Sequence, residues 1–209
     1  MTKSSSPERR PGLTKSPSPS GGGQGGGDPT LRRLKGDRVA LRRFRPADEP
    51  TVWNGLAALA PSAFPTGPGR RNRLRRRILA SGRFLRGSLD LGIEADGRLI
   101  GDVQARLGIG QRLPPGVVEL GIQIYDPVKR GKGYGAEAMW LLTNWVFEHG
   151  VGERVQASTA EDNIAMRRVL EKLGFRFEGV MRGFMPVGDH REDFALYGIT
   201  KAEWSLSMK

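Results

Sequence analysis

The chain of 209 residues contains no cysteine. That excludes disulfides, thiolate nucleophiles and Cys-based zinc sites, and leaves any catalysis to oxygen and nitrogen side chains. Histidine is nearly as scarce: His149 and His190 are the two in the chain. They stand far apart in sequence, so no metal centre is expected. No apolar run reaches the ~18–20 residues of a membrane span, and the first residues lack the apolar core of a signal peptide. A cytoplasmic protein with no membrane partner is the expectation. Acid is also in short supply, with 22 Asp+Glu against 34 Lys+Arg and a formal net charge of +12. An excess of that size first suggests a nucleic-acid binder. The hydrophobic share of 37% is enough for a packed core and excludes wholesale disorder.

Of the first 30 residues, 18 are Gly, Ser or Pro, and Met1 and Leu13 are the only large apolar side chains among them. Residues 1–30 therefore read as a disordered tail that cannot offset its ordering entropy, and residues 31–209 as one domain. The positive charge is concentrated in two blocks of that domain. Residues 31–45 carry seven Lys/Arg and one acid, and residues 70–86 carry eight Arg and no acid. Residues 87–209 hold 15 basic and 17 acidic residues, so the rest of the domain is slightly acidic.

Patterning predicts interleaved strands and helices. Val39 and Leu41 alternate with polar neighbours as in a strand, Ala47–Leu59 follows Pro46 as a helix, and Arg71–Leu79 is a basic helix with Leu74 and Ile78 on one face. Leu89–Ala95 and Leu99–Leu107 are strands joined at Asp96-Gly97, a type I′ hairpin signal. A strand at Val117–Tyr125 runs into a glycine-rich loop, and the helix Gly135–His149 begins at once, with Ala138, Leu141, Leu142 and Trp145 as its apolar stripe. Val155–Ser158 is a short strand. Asp162 is the expected cap of a helix carrying Met166, Val169, Leu170 and Leu173, closed by Gly174. Strands at Phe175–Met181 and Asp193–Ile199 follow. The class is α/β (α+β).

The loop Arg130-Gly131-Lys132-Gly133-Tyr134-Gly135 carries the chemistry. Its glycines let backbone approach a ligand, and its amides converge with a helix N-terminus, which suits a phosphate or pyrophosphate. A flexible Gly-rich turn with solvated lysines fits the loop equally well. A Walker loop is excluded because no Ser/Thr follows a Gly-Lys pair, and a Rossmann fingerprint because the glycine spacing is two throughout.

Arg130-x-x-Gly133-x-Gly135, placed after a strand and opening a helix, resembles the acyl-CoA motif of the GNAT N-acetyltransferases. Two further segments are similar to that family. One runs from Glu161-Asp-Asn163 to Leu170-Glu-Lys-Leu-Gly-Phe175. The other, Asp193-Phe-Ala-Leu-Tyr197 through Trp204, resembles the ending of its Rim-type branch, the ribosomal-protein N-terminal acetyltransferases. The resemblance spans about residues 36–206. It implies a mixed, mostly antiparallel sheet of six to seven strands flanked by about four helices and splayed at the acyl-CoA site. It also implies acetyl transfer from acetyl-CoA, as cosubstrate and without a metal, to a primary amine.

Under that resemblance, Arg130, Gly131, Gly133, Tyr134 and Gly135 would hold the CoA pyrophosphate. Ile122, Gln123 and Ile124 would pair with the pantetheine arm as an added strand, and Asn163 would hydrogen-bond the same arm. Glu119 occupies the strand position where many members carry a base; read from the residues alone, it is equally a solvent-facing carboxylate. Leu170 stands where many members place a Tyr acid, and Met166 where Rim-type relatives often place a Ser. Tyr125 and Tyr134 are the remaining donors. Asp189 and His190 are candidates for the amine pocket, against the alternative of an exposed hairpin loop. Arg70 and Arg71, on the wall of the acceptor groove, would recruit an acidic acceptor, or else form a solvated basic face. The acceptor implied is the α-amine of a peptide or protein, including a peptide natural product, with nucleic acid involved only indirectly, as RNA in a ribonucleoprotein. An aminated small molecule such as an antibiotic, or a non-catalytic acyl-CoA- or nucleic-acid-binding module, are the alternatives. The state is a monomer or homodimer.

Overall fold

The structure, a computed structural model, describes residues 31–59, 68–85, 87–107 and 113–207. The predicted tail, residues 1–30, lies outside the described residues. Two short strands, β1 (Arg33–Lys35) and β2 (Ala40–Arg42), open the chain, followed by a 3-10 turn at Pro46–Asp48 and α1 (Glu49–Leu59). Next come α2 (Pro68–Ala80), β3 (Ser88–Ala95), β4 (Arg98–Leu107), β5 (Val117–Ile124) and α3 (Tyr134–Glu148). The chain continues with β6 (Arg154–Ala160), α4 (Ile164–Lys172), β7 (Arg176–Val187), β8 (His190–Thr200) and α5 (Lys201–Ser207). The eight strands form one sheet in the order β1-β2-β3-β4-β5-β6-β8-β7. Every pair is antiparallel except β5 with β6, which is parallel because α3 crosses over between them.

The sheet has more strands than expected because β1 is three residues long and highly charged, too short to show a period. The end of the chain also differs. β7 and β8 run well past Phe175–Met181 and Asp193–Ile199, since bulges near Gly179 and between Met181 and Met185 break the alternation that would reveal them. At Asp96-Gly97 the hairpin is as predicted: φ is 51° and 73°, both positive as a type I′ turn requires, and Ala95 pairs with Arg98. The cap of α4 is Asn163, whose Oδ1 accepts from Met166 N at 3.2 Å, so the helix starts one residue later than the Asp162 expectation.

The two faces of the sheet differ. One carries the core: Leu89, Leu91, Val103, Ala105, Val118, Leu120, Val155 and Ala157 pack with Leu142, Val146 and Trp145 of α3, Leu170 of α4 and Trp204 of α5. Each such aliphatic side chain removed from water contributes about 1.5–3 kcal/mol. The opposite face is polar and is covered only in part, by α1 and α2. A second, smaller cluster joins Val52 of α1 and Leu74 and Ile78 of α2 to Phe44 and Tyr125. Gly55 permits this seating, because a Cβ there would strike the Tyr125 ring.

Candidate active site

β5 pairs with β4 along Val118–Ile124, but with β6 only at Val117–Glu119, opposite Arg154–Gln156. β6 turns to β8 and stays paired up to Ala160. Beyond Glu119, therefore, the β6-facing edge of β5 carries no ladder partner, and the sheet forks there. Unpaired strand backbone is an edge that an extended ligand can complete. Ile122 and Ile124 turn toward α3, where a Cβ on Gly135 would meet Ile122 at 3.6 Å, and Gln123 is exposed on the polar face.

Glu119 and Gln156 are the last pair before the fork. The Glu119 carboxylate accepts from Arg106 NH1 at 3.0 Å through Oε1 and from Gln156 Nε2 at 3.3 Å through Oε2. Its side chain is 26% exposed, so the carboxylate is oriented but open to solvent on one side. Arg106 also donates to Gln104 Oε1 at 2.9 Å, and Gln104 donates to Asp102 Oδ2 at 3.1 Å. A hydrogen-bonded track thus runs along the polar face from the fork toward α2. Such a carboxylate can take a proton from an amine brought to the fork.

The glycine loop forms the other half of the site. Asp126 Oδ1 accepts from Val128 N and sets a 3-10 turn at Pro127–Lys129, and Arg130 Nε donates to the Ile124 carbonyl at 3.1 Å. Gly133 caps α3 with φ 82°, and the first internal bond runs from Glu137 N to Gly133 O. The amides of Tyr134, Gly135 and Ala136 precede that bond and have no acceptor within the helix, which is what an anion site needs. Lys129 Nζ lies 5.9 Å from the Tyr134 ring centroid. Asn163, at the start of α4, uses Nδ2 on Thr159 Oγ1 at 3.0 Å while capping its helix. The unpaired edge and these amides lie on consecutive segments of chain, which fits a long ligand with an anionic end.

The loop has a brace that sequence reasoning missed. Glu137, buried in the first turn of α3, accepts from the backbone amides of Arg38 and Val39 and from Arg38 Nε. Arg38 NH1 in turn donates to the Lys132 carbonyl at 3.0 Å. Gly133 is required by its φ of 82°, and a Cβ there would also displace the Arg38 guanidinium that stands 2.7 Å away. An acid in a first helical turn ordinarily reads as a dipole partner, which hides such a role. Arg106 and Gln156 were missed as well; their register with Glu119 is the signal that finds them.

On the polar face, α2 is held by a buried cluster. Arg77 binds Asp90 at 2.7 Å and also Asp102, which is fully buried. Burial alone would lower the guanidinium, but the Asp102 and Asp90 carboxylates outweigh it and push it up. Burial, and next the neighbouring Asp102 carboxylate, push the Tyr125 phenol up. Tyr125 is sealed under α1, which removes it from the expected donors. Leu170 is fully buried in the core, in keeping with its place on the apolar stripe. Arg71 and Arg75 both clasp Glu49, at 2.8 and 2.9 Å, and Arg71 lies 5.3 Å from the Trp53 ring centroid. Arg70 lines the cleft between α1 and α2.

The structure does not bring Asp189 and His190 to Glu119. They sit at the tip of the β7–β8 hairpin, where Val187 pairs with His190. Gly198 is the β8 residue opposite Gln156, and eight strand residues separate it from His190, about 26 Å. There a separate cleft of about 580 Å³ is lined by Glu161, Asp162, Arg167, His190, Glu192 and Asp193.

No helix among the described residues is long and apolar enough to cross a membrane. Comparison with known proteins bears on the family. Among curated relatives, an uncharacterised N-acetyltransferase of Bacillus subtilis, YnaD, is 30% identical over 82 residues, 39% of this chain and 48% of the relative. The chain spans about half the length of the curated relatives it matches. Among solved structures, a ribosomal-protein-S5-alanine acetyltransferase from Vibrio fischeri superposes with a TM-score of 0.67 at 20% identity, covering 82% of this chain and 98% of that one. The microcin C7 self-immunity acetyltransferase MccE, in complex with acetyl-CoA and AMP, gives 0.64 at 17% identity, covering 78% and 93%. At those identities the likeness is one of fold. The family model for the acetyltransferase (GNAT) domain matches residues 38–176. With the forked sheet and the glycine-capped helix start in place, this match shows that the chain belongs to the GNAT acetyltransferase family.

Proposed function

We propose that this chain transfers an acetyl group from acetyl-CoA directly to a primary amine, the α-amine of a peptide or protein. The observation that carries the reading is the juxtaposition at the fork: an unpaired β5 edge, unbonded amides at the start of α3, and Glu119 at the vertex. The β5 edge at Ile122–Ile124 holds the extended pantetheine arm, with Asn163 facing it from α4. The amides of Gly131–Gly135 take the pyrophosphate, with Arg130 fixing the end of β5. The amine binds at Glu119, which removes its proton as the C–N bond forms and the C–S bond breaks. The thiolate leaves as the free thiol, with a proton drawn from solvent or from the outgoing amine. No covalent enzyme intermediate is needed, because the thioester is already activated and the site's task is alignment.

Steady-state thiol release with acetyl-CoA and peptides bearing a free N-terminus tests this. Glu119→Gln is expected to lower kcat by about 10²–10⁴-fold while CoA affinity changes little. Mass analysis should place one acetyl group (about 42 Da) on the N-terminal amine. Tight CoA binding with no turnover on any amine would instead favour a non-catalytic acyl-CoA module. Acetylation confined to small aminated molecules would move the acceptor away from peptides.

A further inference from the structure

The arginines of α2 have different partners. Arg71 and Arg75 are engaged by Glu49, and Arg77 is locked onto Asp90 and Asp102. Arg73 makes no ion pair with any described residue, yet it lines the cleft of about 300 Å³ between α1 and α2 together with Trp53, Leu56, Arg70, Leu74 and Arg77. The cleft combines an apolar floor, an indole wall braced by Arg71, and cationic rims from a helix that has no acid of its own. We infer that this cleft is an anion subsite for carboxylates of an acidic peptide acceptor whose N-terminal amine lies at Glu119; the inference rests on the acetyl-transfer reading above.

The sheet sets the spacing. Arg77 reaches down to Asp102, and Glu119 is paired with Arg106 four residues along β4. Four strand residues span about 13 Å. Between the two points the polar face presents Gln104 and Arg106, both half-buried, as an open track of donors and acceptors. An extended peptide advances ~3.3–3.6 Å per residue. An acceptor lying on that track therefore puts its fourth and fifth residues over the cleft, and these are the positions where Asp or Glu is selected. A volume near 300 Å³ takes one or two side chains. A short acidic segment behind a free amine satisfies both halves of the surface.

The test uses the full chain with acetyl-CoA and two hexapeptides, SAAEEA and SAAQQA, followed by thiol release. The acidic peptide is expected to show a KM about tenfold lower, as a charge-assisted contact gives. Arg73→Gln should cut that preference several-fold, whereas Arg32→Gln, which removes the same charge from an exposed site beside β1, should keep it. Equal KM values for the two peptides would overturn the subsite and leave acetyl transfer standing, as would a preference that survives Arg73→Gln. A single-stranded oligonucleotide that inhibits below the KM of the acidic peptide would assign the cleft to nucleic acid and overturn the inference. If neither peptide is acetylated, the transfer reading fails, and titration of both peptides into the CoA-loaded protein decides the subsite alone. Tighter acidic binding then supports it, and equal binding overturns it.

Discussion

The two arginine-rich segments carry similar formal charge and put it to opposite uses. In residues 31–45 five of the six guanidiniums bond within the fold, and Arg32 stays exposed. Arg42 is buried between Asp48 at 2.7 Å and Glu94 at 2.6 Å, Arg33 and Arg45 add to Glu94, and Arg38 clamps Glu137 and the loop carbonyl. Arg43 Nε donates to the Ser81 carbonyl, joining the end of α2 to β2. Among the described residues of the 70–86 block, Arg77 is drawn deep inside, and most of its neighbours on α2 stay at the surface. Net charge is a count, and what it does depends on which acids the fold carries to it. The first block meets carboxylates delivered by β3, α3 and the Pro46–Asp48 turn; on α2, Glu49 holds Arg71 and Arg75 on one side, and Asp90 and Asp102 hold Arg77 on another. The charge of +12 therefore overstates the field available to a partner.

The largest effect expected from breaking this comparison is at its buried members. Arg77→Met leaves Asp102 buried without its cation and should cost about 3–5 kcal/mol in urea unfolding. Arg42→Met should fall near the lower end of that range. An Arg77 variant as stable as wild type would show the cluster to be dispensable.

Acid should separate the blocks next. Despite burial, which alone would raise them, Glu94 is held below the ordinary carboxylate range by Arg33 and Arg42, and Asp48 by Arg42 and the Arg45 amide. Because their folded values are depressed, the stability they contribute is fully present above the ordinary value of about 4 and is lost as pH falls through the lowered folded values. Urea midpoints taken between pH 5 and 2.5 should fall steeply in wild type and less steeply in Arg42→Met. Parallel slopes would remove the first block from the account.

Smaller again is the effect at the loop. Gly133→Ala places a Cβ at φ 82° against Arg38, and the left-handed conformation alone costs about 1–2 kcal/mol. CoA affinity measured by calorimetry should drop about tenfold, with a lesser drop for Arg38→Ala. The smallest change is expected at Glu49→Gln. Its partners Arg71 and Arg75 are 53% and 58% exposed, and pairs of that kind add little. The urea midpoint should stay within experimental scatter, while the freed arginines strengthen the salt dependence of acidic-peptide KM.

Much of the site's framework was legible because it is local. The strand, the glycine loop and the start of α3 follow one another within about 20 residues, and turn chemistry marked the Asp96-Gly97 hairpin. The acidic brace at Glu137 was not legible, because its partner Arg38 is 99 residues away and a lone acid in a helix carries no label. Asp189 and His190 looked close to the site by their place near the end of the chain, but a long bulged hairpin carries them beyond the end of β6. The cap of α4 moved from Asp162 to Asn163 because two adjacent Asx residues compete and the backbone of the preceding strand decides between them.

The sequence by itself determined the class of the protein and the place of its glycine loop between a strand and a helix start. Apolar period, glycine placement and a forbidden nucleotide spacing are properties of neighbouring residues. Only the tertiary structure decided which side chains meet Glu119 at the fork, which arginines are spent and which remain exposed. Those depend on strand register across the sheet, where one step moves a side chain to the other face. Glu119 meets Arg106 and Gln156 because three strands align, and among the described residues Arg73 makes no ion pair, since Glu49 and Asp102 hold its neighbours.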